Sequence, residues 1–399
     1  GVKVDVQKAH TMKQELASQE ATLIQAVKKE TGIETQIWAA RSIAQVFDKL
    51  SLPYSRTAKS NAPSFTKNFL QEHQHPLVQK IAKAREINKA HTTFIDTILK
   101  HEHKGRIHAD INPIKSDTGG TVTGRFSYSN PNLQQIPARN KDLGPMIRGL
   151  FIPEENCKWG CFDYSQQEPR LVVHYAATTE PISFNESVTK IVEKFKDDSV
   201  DFHQTVADMA NISRSQAKTI NLGLFYGMGK AKLQAELGLS TKQEAENLFN
   251  QYHDNVPFVR ELMNRTSSFA QTSGSIGTLL GRKCRFDKWE PATFGMHTPM
   301  TLEEAERTYG RGRIRRAFTY KALNKLIQGS AADMTKKAML DLYQEGIVPH
   351  IQIHDELDLS IESDAQAKKI IEIMENAVTL AVPNKVDYES GNTWGEING

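Results

Sequence analysis

Two apolar stretches of this chain each run into carboxylates, and this limits the possible folds more than any other feature. In KWGCFD, residues 158–163, a short strand pattern stops at Asp163. In HIQIHDELDLSI, residues 350–361, Ile351 and Ile353 alternate before His354, Asp355 and Glu356, and Leu357, Leu359 and Ile361 alternate after them. That period of two predicts a buried hairpin with the acidic residues at its tip. A carboxylate at the end of a buried strand is costly unless something pairs with it. If the two strands are neighbours, Asp163 and Asp355 converge, and one pKa rises unless cations intervene. Hard oxygen ligands of this kind suit Mg²⁺ or Mn²⁺. Two such ions about 3.5–4 Å apart form the clamp used for in-line phosphoryl displacement.

A second stretch, ISRSQAKTINLGLFYGMG, residues 212–229, suits the other side of such a reaction. Ser213 and Gln216 have the spacing of a capping box, so a helix should begin there. Arg214, Lys218 and Leu222 are four apart and share a stripe, with Asn221 and Tyr226 beside it. A helix N-terminus with Arg and Lys on one face is a ready anion site. The Gly-rich end is not a P-loop: the required spacing is absent, and Ala231 follows Lys230.

Composition narrows the class without deciding it. The 399 residues suffice for two or three sub-domains. Fifty Lys and Arg against 47 Asp and Glu leave a net charge of +3, so any nucleic-acid surface must come from local arrangement. Cys157, Cys161 and Cys284 contain no C-x-x-C pair and read as reduced thiols, which points to the cytoplasm. No apolar run approaches the length of a membrane span. The chain opens at Gly1 on an alternating strand pattern, GVKVDVQ, as a fragment or processed product would.

The rest of the chain reads as mixed helix and strand without βαβ alternation, hence α+β. ELASQEATLIQAVKKETG predicts a helix closed by a Gly cap, and 54–65 a polar loop. Residues 76–99 predict one long amphipathic helix with a Leu77, Ile81, Ala84, Ile87, His91, Phe94, Ile98 stripe. HEHKGRIH, 101–108, lacks metal-ligand spacing and reads as a solvated loop.

At this point five motifs in order resemble the family A DNA polymerases, the class of bacterial DNA polymerase I and many phage replicases. DYSQQEPR is similar to D-Y-S-Q-x-E-x-R, and RSQAKTINLGLFYG to R-x-x-x-K-x-x-N-x-G-x-x-Y-G. HDE follows a strand as the family's third motif does. TGRFSYSNPNLQQIP, 123–137, and NKLIQGSAAD, 324–333, match two further signatures. The motifs span about half the chain, and their flavour is phage-like.

The resemblance implies a right-hand fold with an antiparallel palm sheet, helical fingers and a helical thumb. The thumb would occupy 1–110, the palm 111–172 and 318–399, and the fingers 173–317. It implies template-directed addition of dNTPs to a primer 3′ end with release of pyrophosphate, by a monomer acting on primer-template DNA. Asp163 and Asp355 would hold two Mg²⁺ ions, or Mn²⁺ in their place, with Tyr164 a further metal position and Glu356 in support. Arg214 and Lys218 would meet the triphosphate, with His203 and Gln166 near the substrate. Glu168 would exclude a ribose 2′-hydroxyl, and Leu222 and Tyr226 would pack at the nascent pair. Arg125, Asn132, Gln134, Asn324, Gln328 and His354 would touch the primer end and minor groove. Lys80, Lys83 and Lys89 would lie near duplex phosphates. No acidic D-x-E strand of the proofreading type occurs, so an exonuclease would lie upstream of Gly1. The location implied is cytoplasmic, in the host if phage-encoded.

Three departures from the family pattern stand out. Leu222 replaces the usual Phe or Tyr, Gln167 and Pro169 replace apolar residues, and the stretch from His203 to Arg214 is short. A non-catalytic nucleic-acid clamp would account for the basic loops but not for Asp163, Asp355, Arg214 and Lys218 together. A single-subunit RNA polymerase would not need Glu168.

Overall fold

The computed structural model describes residues 1–117, 119–137, 140–197, 200–225, 230–293, 295 and 297–397. At its centre is a four-stranded antiparallel sheet of β1 (Lys158–Tyr164), β2 (Ile351–Ile353), β3 (Glu356–Ile361) and β4 (Val386–Gly391). The strand order is β2-β3-β1-β4, so the two strands marked by their carboxylates are direct neighbours. In register, Glu356 faces Asp163, Asp358 faces Cys161, and Asp387 faces Asp163 from the other side.

The period of two sorts the sheet into unlike faces. Phe162, Leu357, Leu359 and Ile361 enter one apolar core with helix residues such as Leu171, Ile327 and Ile370. Phe162 and Tyr388 stack across β1 and β4 at 4.7 Å. Trp159, Cys161 and Ile351 project to the other face and join a second core with Phe151, Ile147 and Trp394. Gly160 sits where a Cβ would come within 2.4 Å of the Ile361 side chain, so close strand packing requires glycine there.

Helices flank this sheet. α1 (Val6–Thr31) starts at Asp5, whose Oδ1 accepts from Lys8 N, and ends at Gly32 with φ 76°, the expected cap. α2 (Pro76–Lys89) buries Leu77, Ile81, Ala84 and Ile87 as the stripe predicts. It does not run on unbroken to 99. Residues Ala90–Ile95 form a π-helical segment before a last α-helical stretch, Asp96–His101. The π-turn shifts the phase and brings His91 to Glu20, at 2.6 Å. α3 (Gln167–Thr178), α4 (Arg214–Phe225), α5 (Ala322–Gln344) and α6 (Asp364–Asn376) complete the frame. α5 packs on both α3 and α6, and α6 on β3 and β4.

Two regions read as loops carry short strands instead. Ser55–Arg56 pairs with Pro63–Ser64. Glu102–His103 pairs with Arg106–Ile107, which also pairs with Val2–Lys3. Lys104 and Gly105 both have positive φ between those strands, the geometry of a tight hairpin turn. Among the described residues, no helix is long and apolar enough to cross a membrane.

Candidate active site

The two aspartates reach the site beside adjoining turns, one after β1 and one between β2 and β3. Asp163 projects from β1 near its end. Asp355 lies in the two-residue turn joining β2 to β3, and its carbonyl accepts from Tyr164 N at 3.3 Å. Both turns hold a non-glycine residue in the left-handed region, His354 with φ 56° and Gln166 with φ 54°. Such conformations persist only where the surroundings determine them.

Charge is uncompensated here. Burial, then the charges of Asp355, Glu356 and Asp387, pushes Asp163 up to about 8. Burial likewise pushes Asp355 up to about 6, with Glu168 and Glu356 adding and Arg125 opposing. Half-buried carboxylates that raise one another are what a divalent cation would relieve. The donors facing one another are hard oxygens, which fits Mg²⁺ or Mn²⁺. The Tyr164 side chain is not among them: its hydroxyl donates to the Met374 carbonyl at 2.6 Å inside the core. A metal position at Tyr164 is therefore restricted to its main-chain carbonyl. Asp387, which the sequence reading missed, carries no local signal beyond its place in an alternating strand.

The cationic helix is built as its sequence predicts. Gln216 N donates to Ser213 Oγ at 3.2 Å, and Ser213 N to Gln216 Oε1 at 3.0 Å, closing the capping box of α4. Arg214 is half-exposed and pairs with Asp201 at 2.6 Å. Lys218 is exposed and makes no ion pair among the described residues. His203 sits beside them, its Nδ1 3.1 Å from Asn221 Nδ2. Asn221 in turn accepts from the Tyr252 hydroxyl at 2.5 Å. Burial, with Lys218 and Arg214 adding, lowers the His203 pKa against the pull of Asp201. The short connection therefore still brings His203 to the helix. Gln166 does not present a free amide: it donates to the Val200 carbonyl and accepts from Phe202 N, both at 2.7 Å. It thereby ties the end of β1 to the segment carrying Asp201 and His203. The Leu222 side chain and all of Tyr226 lie outside the described residues.

A third group lies on the other side of the aspartates. Arg125 pairs with Glu168 at 2.8 Å. His354 is close to both, and burial followed by Arg125 lowers its pKa. Asn132 Oδ1 accepts from Gln134 N at 3.1 Å, and Gln134 Nε2 reaches the Gln352 carbonyl of β2 at 3.3 Å. These two side chains shape the loop against the sheet. Gln328 is half-buried on α5, and Asn324 keeps a buried Nδ2 without a hydrogen-bond partner among the described residues. Arg282, unmarked in the sequence reading, joins this loop to α5 by donating to the Thr123 and Gly329 carbonyls at 2.7 and 3.0 Å. Gly329 makes room for that guanidinium: an added Cβ would lie 2.9 Å from it. Of the three lysines expected near duplex phosphates, Lys83 is instead paired with Glu86 and Asp142, and Lys89 lies over Phe94.

Half-buried aspartates converging at one end of an antiparallel sheet, tied through Gln166 to the segment that pairs with a cationic helix, place the chain in a class, the right-hand polymerases. The chain belongs to DNA polymerase family A, whose family model matches residues 6–396. It is 32% identical to a DNA-directed DNA polymerase of Pseudomonas phage M6, covering 100% of this chain and 64% of that protein. It is 33% identical to DNA polymerase I of Geobacillus stearothermophilus, covering 99% and 44%. The chain thus spans less than two thirds of the length of these relatives. Among solved structures, it is similar to the POL domain of Pol1 from M. smegmatis in complex with DNA primer-template and dNTP. There the TM-score is 0.75 at 26% identity, over 99% of this chain and 67% of that one.

Proposed function

We propose that this chain is a template-directed DNA polymerase, adding dNTPs to a primer 3′ end with release of pyrophosphate. The observation that carries the reading is the convergence of Asp163 and Asp355, both with raised pKa values, together with an exposed Lys218 that makes no ion pair among the described residues. Asp163 and Asp355 would hold two Mg²⁺ ions, or Mn²⁺ in their place, and Glu356 supports them. When bound, such ions lower the pKa of the attacking 3′-hydroxyl and screen charge on the leaving pyrophosphate.

The chain's own residues bind and orient. Lys218 and Arg214 take the triphosphate, and Arg214 is shared with or released from Asp201 on binding. Glu168 walls the sugar pocket against a 2′-hydroxyl. Arg125, His354, Gln328 and Asn324 face the primer end and minor groove, where contacts read pair geometry rather than sequence. Asn132, Gln134 and Gln166 hold the surrounding loops. In this reading residues 1–110 form the thumb, 111–172 with 318–399 the palm, and 173–317 the fingers.

The test is primer extension with Mg²⁺ on a templated primer, comparing dNTPs with rNTPs and repeating with excess chelator. Templated dNTP addition that stops on chelation supports the reading. Tight primer-template binding with no extension would instead favour a non-catalytic clamp.

A further inference from the structure

Directly behind Glu356 on the same face of β3 lies Asp358, which is fully buried. A buried aspartate in mid-strand needs a reason, because its desolvation is not repaid by packing. Its Oδ1 accepts from Trp159 Nε1 at 2.9 Å. Among the described residues its Oδ2 has no donor, and neither does the buried Oε1 of Glu356. A carboxylate oxygen of each, together with Cys161 Sγ from β1, lies within 4.8 Å of the others. Trp159, Ile351 and Trp394 surround this spot with apolar surface. One hydrogen bond between the two side chains satisfies both orphan oxygens at once, and the indole already occupies the far oxygen of Asp358.

We propose that Asp358, anchored by the Trp159 indole, is a positioning residue that hydrogen-bonds Glu356 and fixes it behind the Asp163–Asp355 pair. Burial, then the charge of Glu356, raises the Asp358 pKa well above the ordinary range, against the pull of Trp159 and Arg148. This is the direction a donor carboxyl needs. Glu356 thereby gains one fixed partner on the core side, and its other oxygen is left toward the site. The proposal rests on the supporting role of Glu356 in the reading above.

The test is single-turnover nucleotide incorporation by Asp358→Val, Asp358→Asn, Glu356→Ala and the Glu356→Ala/Asp358→Val double variant, with folding checked by near-UV circular dichroism. Asp358→Val is expected to slow incorporation about tenfold while the dNTP Kd stays the same. Asp358→Asn should recover most of that loss, since an amide can donate to Glu356 and accept from Trp159. In the Glu356→Ala background the Asp358→Val loss should vanish. If Asp358→Val fails to fold, Trp159→Phe takes its place in the cycle, with a smaller loss that also vanishes without Glu356. Losses that add fully in the double variant overturn the positioning role, as does an Asn variant as slow as the Val variant. A Glu356→Ala rate equal to that of the unmodified chain removes instead the supporting role on which the proposal rests. One metal ion per dialysed chain by mass spectrometry, lost in Asp358→Asn, would overturn it in favour of a cation held by Cys161, Glu356 and Asp358.

Discussion

Arg125 reaches across the site to Glu168: its Nη2 donates to Oε1 at 2.8 Å, and the two side chains are only 22% and 14% exposed. An ion pair this enclosed is a fixed object, unlike one on an open surface. The negative charge also sits near Asp355, whose pKa it helps to raise. Glu168 is therefore held rigidly by a partner 43 positions away in the chain.

A wall made of one held carboxylate should fail when the carboxylate is removed. Glu168→Ala is expected to raise the rNTP-to-dNTP incorporation ratio by about tenfold or more, some 1.4 kcal/mol. Overall activity should also fall, because the half-buried Arg125 loses its carboxylate partner. An active variant with unchanged sugar selectivity would remove Glu168 from the sugar pocket.

Asp163→Ala or Asp355→Ala should abolish extension while primer-template affinity, measured by fluorescence anisotropy, changes little. Duplex affinity comes from phosphate contacts elsewhere, and these two groups are assigned to ions. Near-normal extension by either variant would refute the assignment.

The raised pKa of Asp163 sets a pH dependence in chelator. A carboxyl with folded pKa above its unfolded value binds its proton more tightly in the folded state. Its stabilising contribution is complete below the ordinary value of 3.8 and is lost as pH rises through about 8. The chelated protein should therefore melt at lower temperature as pH rises across that window. Asp163→Asn should flatten the trend, and Mg²⁺ should reverse it. An identical slope in both proteins would show that Asp163 is not the group responsible.

The Arg214–Asp201 pair offers a gain-of-affinity test. Asp201 Oδ1 also caps the helix Phe202–Ala210 by accepting from Gln204 N at 3.0 Å, a task Asn can perform. Asp201→Asn should release Arg214 and tighten dNTP binding by about threefold, whereas Lys218→Ala should weaken it by about tenfold without altering base choice. Weaker dNTP binding by Asp201→Asn would mean that Asp201 positions Arg214 rather than competing for it.

Leu222 lies one turn along α4 from Lys218. By the family resemblance, Tyr at this position admits dideoxynucleotides and Phe excludes them, because a hydroxyl can stand in for the missing 3′-hydroxyl. Leu has none, so the chain should discriminate against them, and Leu222→Tyr should raise their use about tenfold or more. A chain-termination assay measures the ratio, and no movement in an active variant would place Leu222 away from the sugar.

Local chemistry was legible in the sequence because it depends on residues a few positions apart. The hairpin around Asp355, the capping box of Ser213 and Gln216, and the Gly32 cap all follow from short spacings, and all form. The motifs themselves sufficed for the family. What the tertiary structure alone decided depends on register and burial across long separations. Strand pairing put Asp387 opposite Asp163 and Cys161 opposite Asp358, and packing left Asp358 in an apolar pocket with one indole donor. The ion pairs of Arg125 with Glu168 and Arg214 with Asp201 arise the same way, as does the joining of Thr123 to α5 by Arg282. The π-turn after Lys89 is a local feature that periodicity cannot show, since it satisfies His91 and Glu20 on different helices rather than the stripe. Sequence spacing specifies which groups a turn or helix presents. Only the packed sheet specifies which charges meet, and how far water is kept from them.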